Sequence, residues 1–262
     1  MSSNPENEYT NQAEYYTPPP VQEPPPPQIR IQMPDKKPLV VYIIMGITIL
    51  VYLLQIAGES IFGYDLVSIF GMKINEYIYA GEYWRFITPV FLHGSLTHIA
   101  FNMYALYALG PQLERFYGSW QFLLLYFASG FGGVVASFAL TENPSVGAST
   151  AIFGLLGAYG VFSYLNQKTF GERAKRSLRS VVQVAVVNLL IGLTPGIDNW
   201  GHMGGLAAGV IVAWFGGPVF KLVGDMFSLK AENTRSDDQL IIAVLISVLI
   251  FGSIAAYLII IN

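Results

Sequence analysis

The chain has 262 residues, of which 53% are hydrophobic and only 12% charged, with a formal net charge of −3 and no cysteine. Soluble domains carry about 25% charged residues, so this composition, with a mean hydropathy of +0.48, excludes an ordinary water-soluble globular protein. The lack of cysteine excludes a disulfide, a thiol nucleophile and a Cys-ligated metal.

Residues 1–38 hold ten of the fifteen prolines. Such a segment cannot bury a core and favours extended polyproline conformation. It reads as a disordered Pro-rich cytoplasmic tail, a solvated tether in preference to a docking ligand for a cytoplasmic partner. Its first dozen residues are polar and acidic, so no cleavable signal peptide is expected.

Seven apolar spans follow, at about 39–57, 95–112, 120–140, 149–166, 181–195, 201–219 and 240–261. A membrane helix needs about 20 mostly apolar residues. The first and last spans meet that test without a single charge. The fifth is short and carries Gln183 and Asn188. Only helices or closed barrels satisfy the backbone in lipid, and these segments are too long and uniformly apolar for barrel strands. The expectation is an all-α polytopic membrane protein. Its units are the tail 1–38, a six-helix core 39–220, a cytoplasmic linker 221–239 and a C-terminal transmembrane helix 240–262.

Charge orients the spans. With the N-terminus in the cytoplasm, twelve Lys and Arg lie inside, at positions 30, 36, 37, 115, 168, 173, 175, 176, 179, 221, 230 and 235. Only Lys73 and Arg85 lie outside, which is a positive-inside pattern. Both fall in the long first loop, 58–94, which is rich in aromatics that favour the outer interface. The fourth span carries Gly154, Gly157 and Gly160, and the sixth carries Gly201, Gly205 and Gly209 at four-residue spacing. Such faces let helices approach closely in lipid, so these two spans are expected to pack together.

Spans two, four and six all run from outside to inside. Ser149 stands at the outer end of the fourth and His202 at the outer end of the sixth. A serine hydroxyl needs a general base within reach, and histidine is the usual one. His98 and Asn102, at the outer end of the second span, share a helix face and can donate toward a developing oxyanion. The Ser149 N–H, at a helix N-terminus, adds a third donor. Each residue also has a purely structural use. Ser149 can cap its helix, His202 can bond a carbonyl between helices, and His98 with Asn102 can link helices. The gathering of all four at one membrane face favours chemistry, because polar groups inside membranes are costly.

Gly147-Ala148-Ser149, His202-Met203-Gly204-Gly205 and His98-xxx-Asn102-Met103 together make the sequence similar to the rhomboid family of intramembrane serine proteases over about 39–220. The resemblance implies a rhomboid-like six-helix bundle with the seventh helix of the six-plus-one subgroup. It implies Ser149 as nucleophile and His202 as general base, a dyad without a required aspartate. It further implies an oxyanion hole of Asn102, His98 and the Ser149 N–H, with Phe153 packed on the catalytic histidine and Gly147 and Gly205 in support. Glu82-Tyr83-Trp84-Arg85 would fall in the family's membrane-embedded first loop, and span five is a candidate mobile wall. Thr150 departs from the glycine that many members have after the serine, without removing a reacting group.

Other chemistries lack their motifs. There is no HExxH and no pair of membrane aspartates, and the serine is not in a G-x-S-x-G elbow. Asp198 reads as an interfacial loop residue at a helix start in preference to a third triad member. Glu114 and Arg115 read as a loop ion pair or a headgroup contact. The expected activity is cleavage of single-span membrane proteins near the outer face of a bacterial plasma membrane, without metal, cofactor or nucleic acid. The alternative is a non-proteolytic rhomboid-like binder or chaperone.

Overall fold

The computed structural model describes residues 30–32, 37–225 and 228–262. Residues 1–29 and 33–36, and with them most of the expected Pro-rich tail, lie outside the described residues.

Helix α1 runs Val40–Phe62, 23 residues, or about 35 Å at 1.5 Å per residue, enough to cross a bilayer core. Its first amide groups are not left to a local cap. Leu39 and Val40 donate to Oε1 of Glu114 at 2.8 and 2.9 Å, and Val41 donates to Oε2 at 2.8 Å. Ser119 adds a fourth bond to the same carboxylate at 2.7 Å. Glu114 is fully buried. The expectation of a loop ion pair or headgroup contact is therefore wrong for Glu114: its carboxylate caps the start of α1.

The first loop is more ordered than its sequence suggests. It contains helices α2 (Leu66–Gly71) and α3 (Asn75–Tyr79), then two 3₁₀ turns, Tyr83–Phe86 and Thr88–Phe91. Arg85, 2% exposed, holds it together. Its guanidinium bonds the carbonyls of Met72 at 2.7 Å and Ile69 at 3.0 Å. It also pairs with Glu82 and lies over the Tyr77 ring at 4.6 Å. Trp84 stacks on Phe70 and donates to its carbonyl.

Helix α4 (Leu96–Tyr117) is capped by Ser95, whose hydroxyl accepts from the His98 N–H. Helices α5 (Ser119–Leu140), α6 (Ser149–Leu165) and a short α7 (Gln167–Phe170) follow. Helix α8 spans Glu172–Ile191. It starts about nine residues before the expected fifth span, because its first turns are charged and invisible to a hydropathy window. Helix α9 is Asn199–Gly216, and α10 is Asp237–Ile261 with a Ser236/Gln239 capping box. Helices α1, α5 and α10 are long and apolar enough to cross a membrane, and α6 is apolar but shorter.

Between α9 and α10, where a plain linker was expected, strands β2 (Phe220–Gly224) and β3 (Ser228–Asn233) form an antiparallel hairpin. Strand β1 (Arg30–Gln32) adds to β3 in parallel, giving the order β1-β3-β2. Asn166 ties this sheet to the C-terminal end of α6. Its side chain accepts from the Phe220 N–H and donates to the carbonyls of Pro218 and Phe162.

The centre of the molecule is α5, α6 and α9. The two glycine-rich helices do pack together. A methyl on Gly205 would run into the Thr150 carbonyl, and one on Gly209 into the Gly154 carbonyl. Helix α10 closes against the far side, with Phe251 and Ala243 seated on Gly132 and Gly216.

Candidate active site

Ser149 is the first residue of α6, and the N-cap position is Ala148, which has no side chain able to cap. The capping role open to Ser149 is thus not the one it takes. Its Oγ lies 3.0 Å from Nε2 of His202. The two residues come from the first turns of two helices, α6 after a connection from α5 and α9 after Asp198. His202 is 8% exposed. Its ring stacks on Phe153, with centroids 4.2 Å apart and planes 11° apart. Among the described residues its Nδ1 has no hydrogen-bond partner. Asp198 does not reach it. That carboxylate accepts from the Gly201 N–H at 2.9 Å and from the Ser145 hydroxyl at 2.6 Å.

Gly147 makes the approach possible. Its φ of +131° is costly for any residue with a Cβ. A Cβ there would also stand 2.8 Å from the His98 ring and 3.4 Å from Ser149 Oγ. His98 and Ser149 therefore flank the same glycine. Asn102 sits one turn deeper on α4, 6% exposed, and its amide donates to the His98 carbonyl at 3.0 Å. Its second amide hydrogen has no partner among the described contacts. The first-turn N–H groups of α6 have no carbonyl four residues back within the helix to bond. Gly205 is placed one turn below His202 against Thr150. Thr150 itself is wedged between Gly133 of α5 and Gly201 of α9, which leaves room for its methyl because neither has a side chain.

Sequence reasoning assigned no role to His93, yet all three histidines of the chain gather here. His93 is 1% exposed, and its ring meets that of His98 edge-on at 5.0 Å. Its backbone is held by Gln55 of α1 through both N–H and carbonyl. Burial, together with neighbouring His98, holds its pKa down at about 4, so it is a neutral imidazole. Its position five residues before His98, in a loop without periodicity, gave no signal. The Ser145–Asp198 bond was equally silent, because it joins residues 53 apart.

These features define an all-α polytopic membrane protein that brings a serine and a histidine together where two buried helices begin. A Rhomboid domain model matches residues 80–219, more than half of the chain, and the chain belongs to the rhomboid family. Among curated relatives, the rhomboid protease GluP of Bacillus subtilis is 42% identical over 179 residues, 68% of this chain and 34% of GluP. RHOMBOID-like protein 9, chloroplastic, of Arabidopsis thaliana is 35% identical over 160 residues, covering 60% of this chain and 37% of that protein. RHOMBOID-like protein 4 of the same plant is 35% identical over 145 residues, covering 55% and 36%. The chain thus spans about a third of the length of these relatives.

Proposed function

We propose that this protein is an intramembrane serine endopeptidase that cleaves membrane-anchored proteins with Ser149 and His202. The reading rests above all on the 3.0 Å approach of Ser149 Oγ to His202 Nε2. Ser149 attacks the substrate carbonyl while His202 Nε2 takes its proton. The resulting imidazolium is favoured by the Phe153 face stacked against it. His202 then protonates the leaving amine, and water hydrolyses the acyl-enzyme. Negative charge on the carbonyl oxygen is met by the Ser149 N–H at the α6 N-terminus, by His98 and by the spare Asn102 amide hydrogen. Residues 39–220 carry the site in this reading.

The charge distribution along the sequence supports an orientation with the N-terminus in the cytoplasm and the site toward the outer face, as in a bacterial plasma membrane. Single-span membrane proteins are the expected substrates. The test is cleavage of a model single-span substrate in liposomes by wild type, Ser149→Ala and His202→Ala. Cleavage by wild type and none by either folded variant is expected. Cleavage that persists without Ser149 would sink the dyad.

A further inference from the structure

Two hydrogen bonds cross between the chain leading into α6 and the start of α9. One joins Ser149 to His202 and the other joins Ser145 to Asp198, and both span 53 residues. The second repeats the first four residues earlier on both sides. Asp198 is firmly attached to the turn that carries the histidine. Its Oδ1 accepts from the Gly201 N–H at 2.9 Å, and its carbonyl accepts from the His202 N–H at 3.1 Å. Its Oδ2 accepts from the Ser145 hydroxyl at 2.6 Å, a short charge-assisted bond.

Ser145 is held just as firmly from the other side. It is 9% exposed and exchanges two backbone bonds with Lys73 of the first loop, at 3.0 and 3.1 Å. The Lys73 ammonium bonds the carbonyls of Thr141 and Asn143 at 2.6 and 3.1 Å, and lies within electrostatic reach of Asp198, Glu142 and Glu76. On the inner side of the pair, Thr150 fills the space beside Gly201. The Ser149–His202 pair is thereby bracketed by a polar staple outside and a packing contact inside. His202 Nδ1 has no partner among the described residues, so apart from its contact with Ser149 no hydrogen bond holds the ring in place.

We propose that Asp198 and Ser145 are positioning residues, joined as a staple that sets the separation of Ser149 and His202. They do not touch the reacting atoms. Asp198 acts through the backbone of the first turn of α9, and Ser145 through the four residues that lead to the nucleophile. The inference rests on the dyad reading above and names what holds that dyad in register.

The test uses the full chain in liposomes and reads two quantities, the rate at which a fluorophosphonate labels Ser149 and the kcat and KM for a single-span substrate. Asp198→Ala and Ser145→Ala are each expected to slow labelling on the order of 10- to 100-fold. The double variant should be no slower than the worse single one, and kcat should fall with KM little changed. Asp198→Asn, which keeps one acceptor for the Gly201 N–H and can donate its amide to the Ser145 hydroxyl oxygen, should recover most of the rate. Because the chain has no cysteine of its own, Ser145→Cys/Asp198→Cys separates positioning from folding in one molecule. Labelling should be fast when that pair is oxidised and slow when it is reduced. Unchanged labelling rates in folded variants, or a pair that never crosslinks, would overturn the staple. Wild type that fails to label at all would bring down the protease reading itself, and the positioning role with it.

Discussion

At the scale of single residues, the site is built by small side chains as much as by reactive ones. Gly147 faces the His98 ring and holds a positive φ. Gly147→Ala is expected to reduce Ser149 labelling by about two orders of magnitude, as a displacement near 1 Å does at a reacting centre. A fluorophosphonate time course on folded protein checks it. Thr150 shows the opposite case. Its methyl fills the gap between Gly133 and Gly201, and it bears no reacting group. Thr150→Gly should lower stability by about 2 kcal/mol through lost packing and a freer helix start. Cleavage per folded molecule should survive. Denaturant unfolding in detergent, with activity measured alongside, checks both halves.

At the scale of elements, the decisive contact is the one between the last turn of α4 and the start of α1. One buried carboxylate, Glu114, answers three backbone amides and the Ser119 hydroxyl. Hydrogen bonds to a charged group contribute about 1.5–3 kcal/mol each, and orphaned buried donors cost as much. Glu114→Gln keeps one acceptor and should destabilise the fold by about 2 kcal/mol. Glu114→Ala leaves every donor unpaired and should cost more, lowering the yield of folded protein. Unfolding midpoints in mixed micelles rank wild type, Gln and Ala in that order if the cap acts as described.

At the scale of the whole molecule, Lys73 fastens two loops to one another, joining the first loop to the α5–α6 connection. Burial pushes this ammonium down to about 8 from 10.5, against the pull of Asp198, Glu142 and Glu76. Below pH 8 both folded and unfolded chains hold the proton, and the cost of burying the charge is fully present. Between about 8 and 10.5 the folded chain releases it first. The unfolded state then binds more protons, so stability attributable to Lys73 rises with pH across that window. The melting temperature of wild type should rise relative to that of Lys73→Met between pH 7.5 and 10. A wild-type curve parallel to that of the variant would contradict it.

Composition and hydropathy alone determined the helical membrane class and the places of α1, α5 and α10. The physical reason is that lipid imposes a local rule on every residue: backbone polar groups must be paired within the segment, and side chains must be apolar. The same rule drew attention to Ser149, His202, His98 and Asn102, because polar residues stand out beside apolar runs. Gly154, Gly205 and Gly209 were legible as packing faces for the same reason. Tertiary structure alone decided that Ser149 meets His202 instead of capping α6. It alone decided that Glu114 caps a helix more than 70 residues away, that His93 backs His98, and that Ser145 is stapled to Asp198. It also turned the expected linker into a hairpin that pairs with Arg30–Gln32. Apart from His93 and His98, these are pairings between distant segments, and no local pattern specifies them. A polar residue announces in sequence that it needs a partner, but only the packed helices supply one.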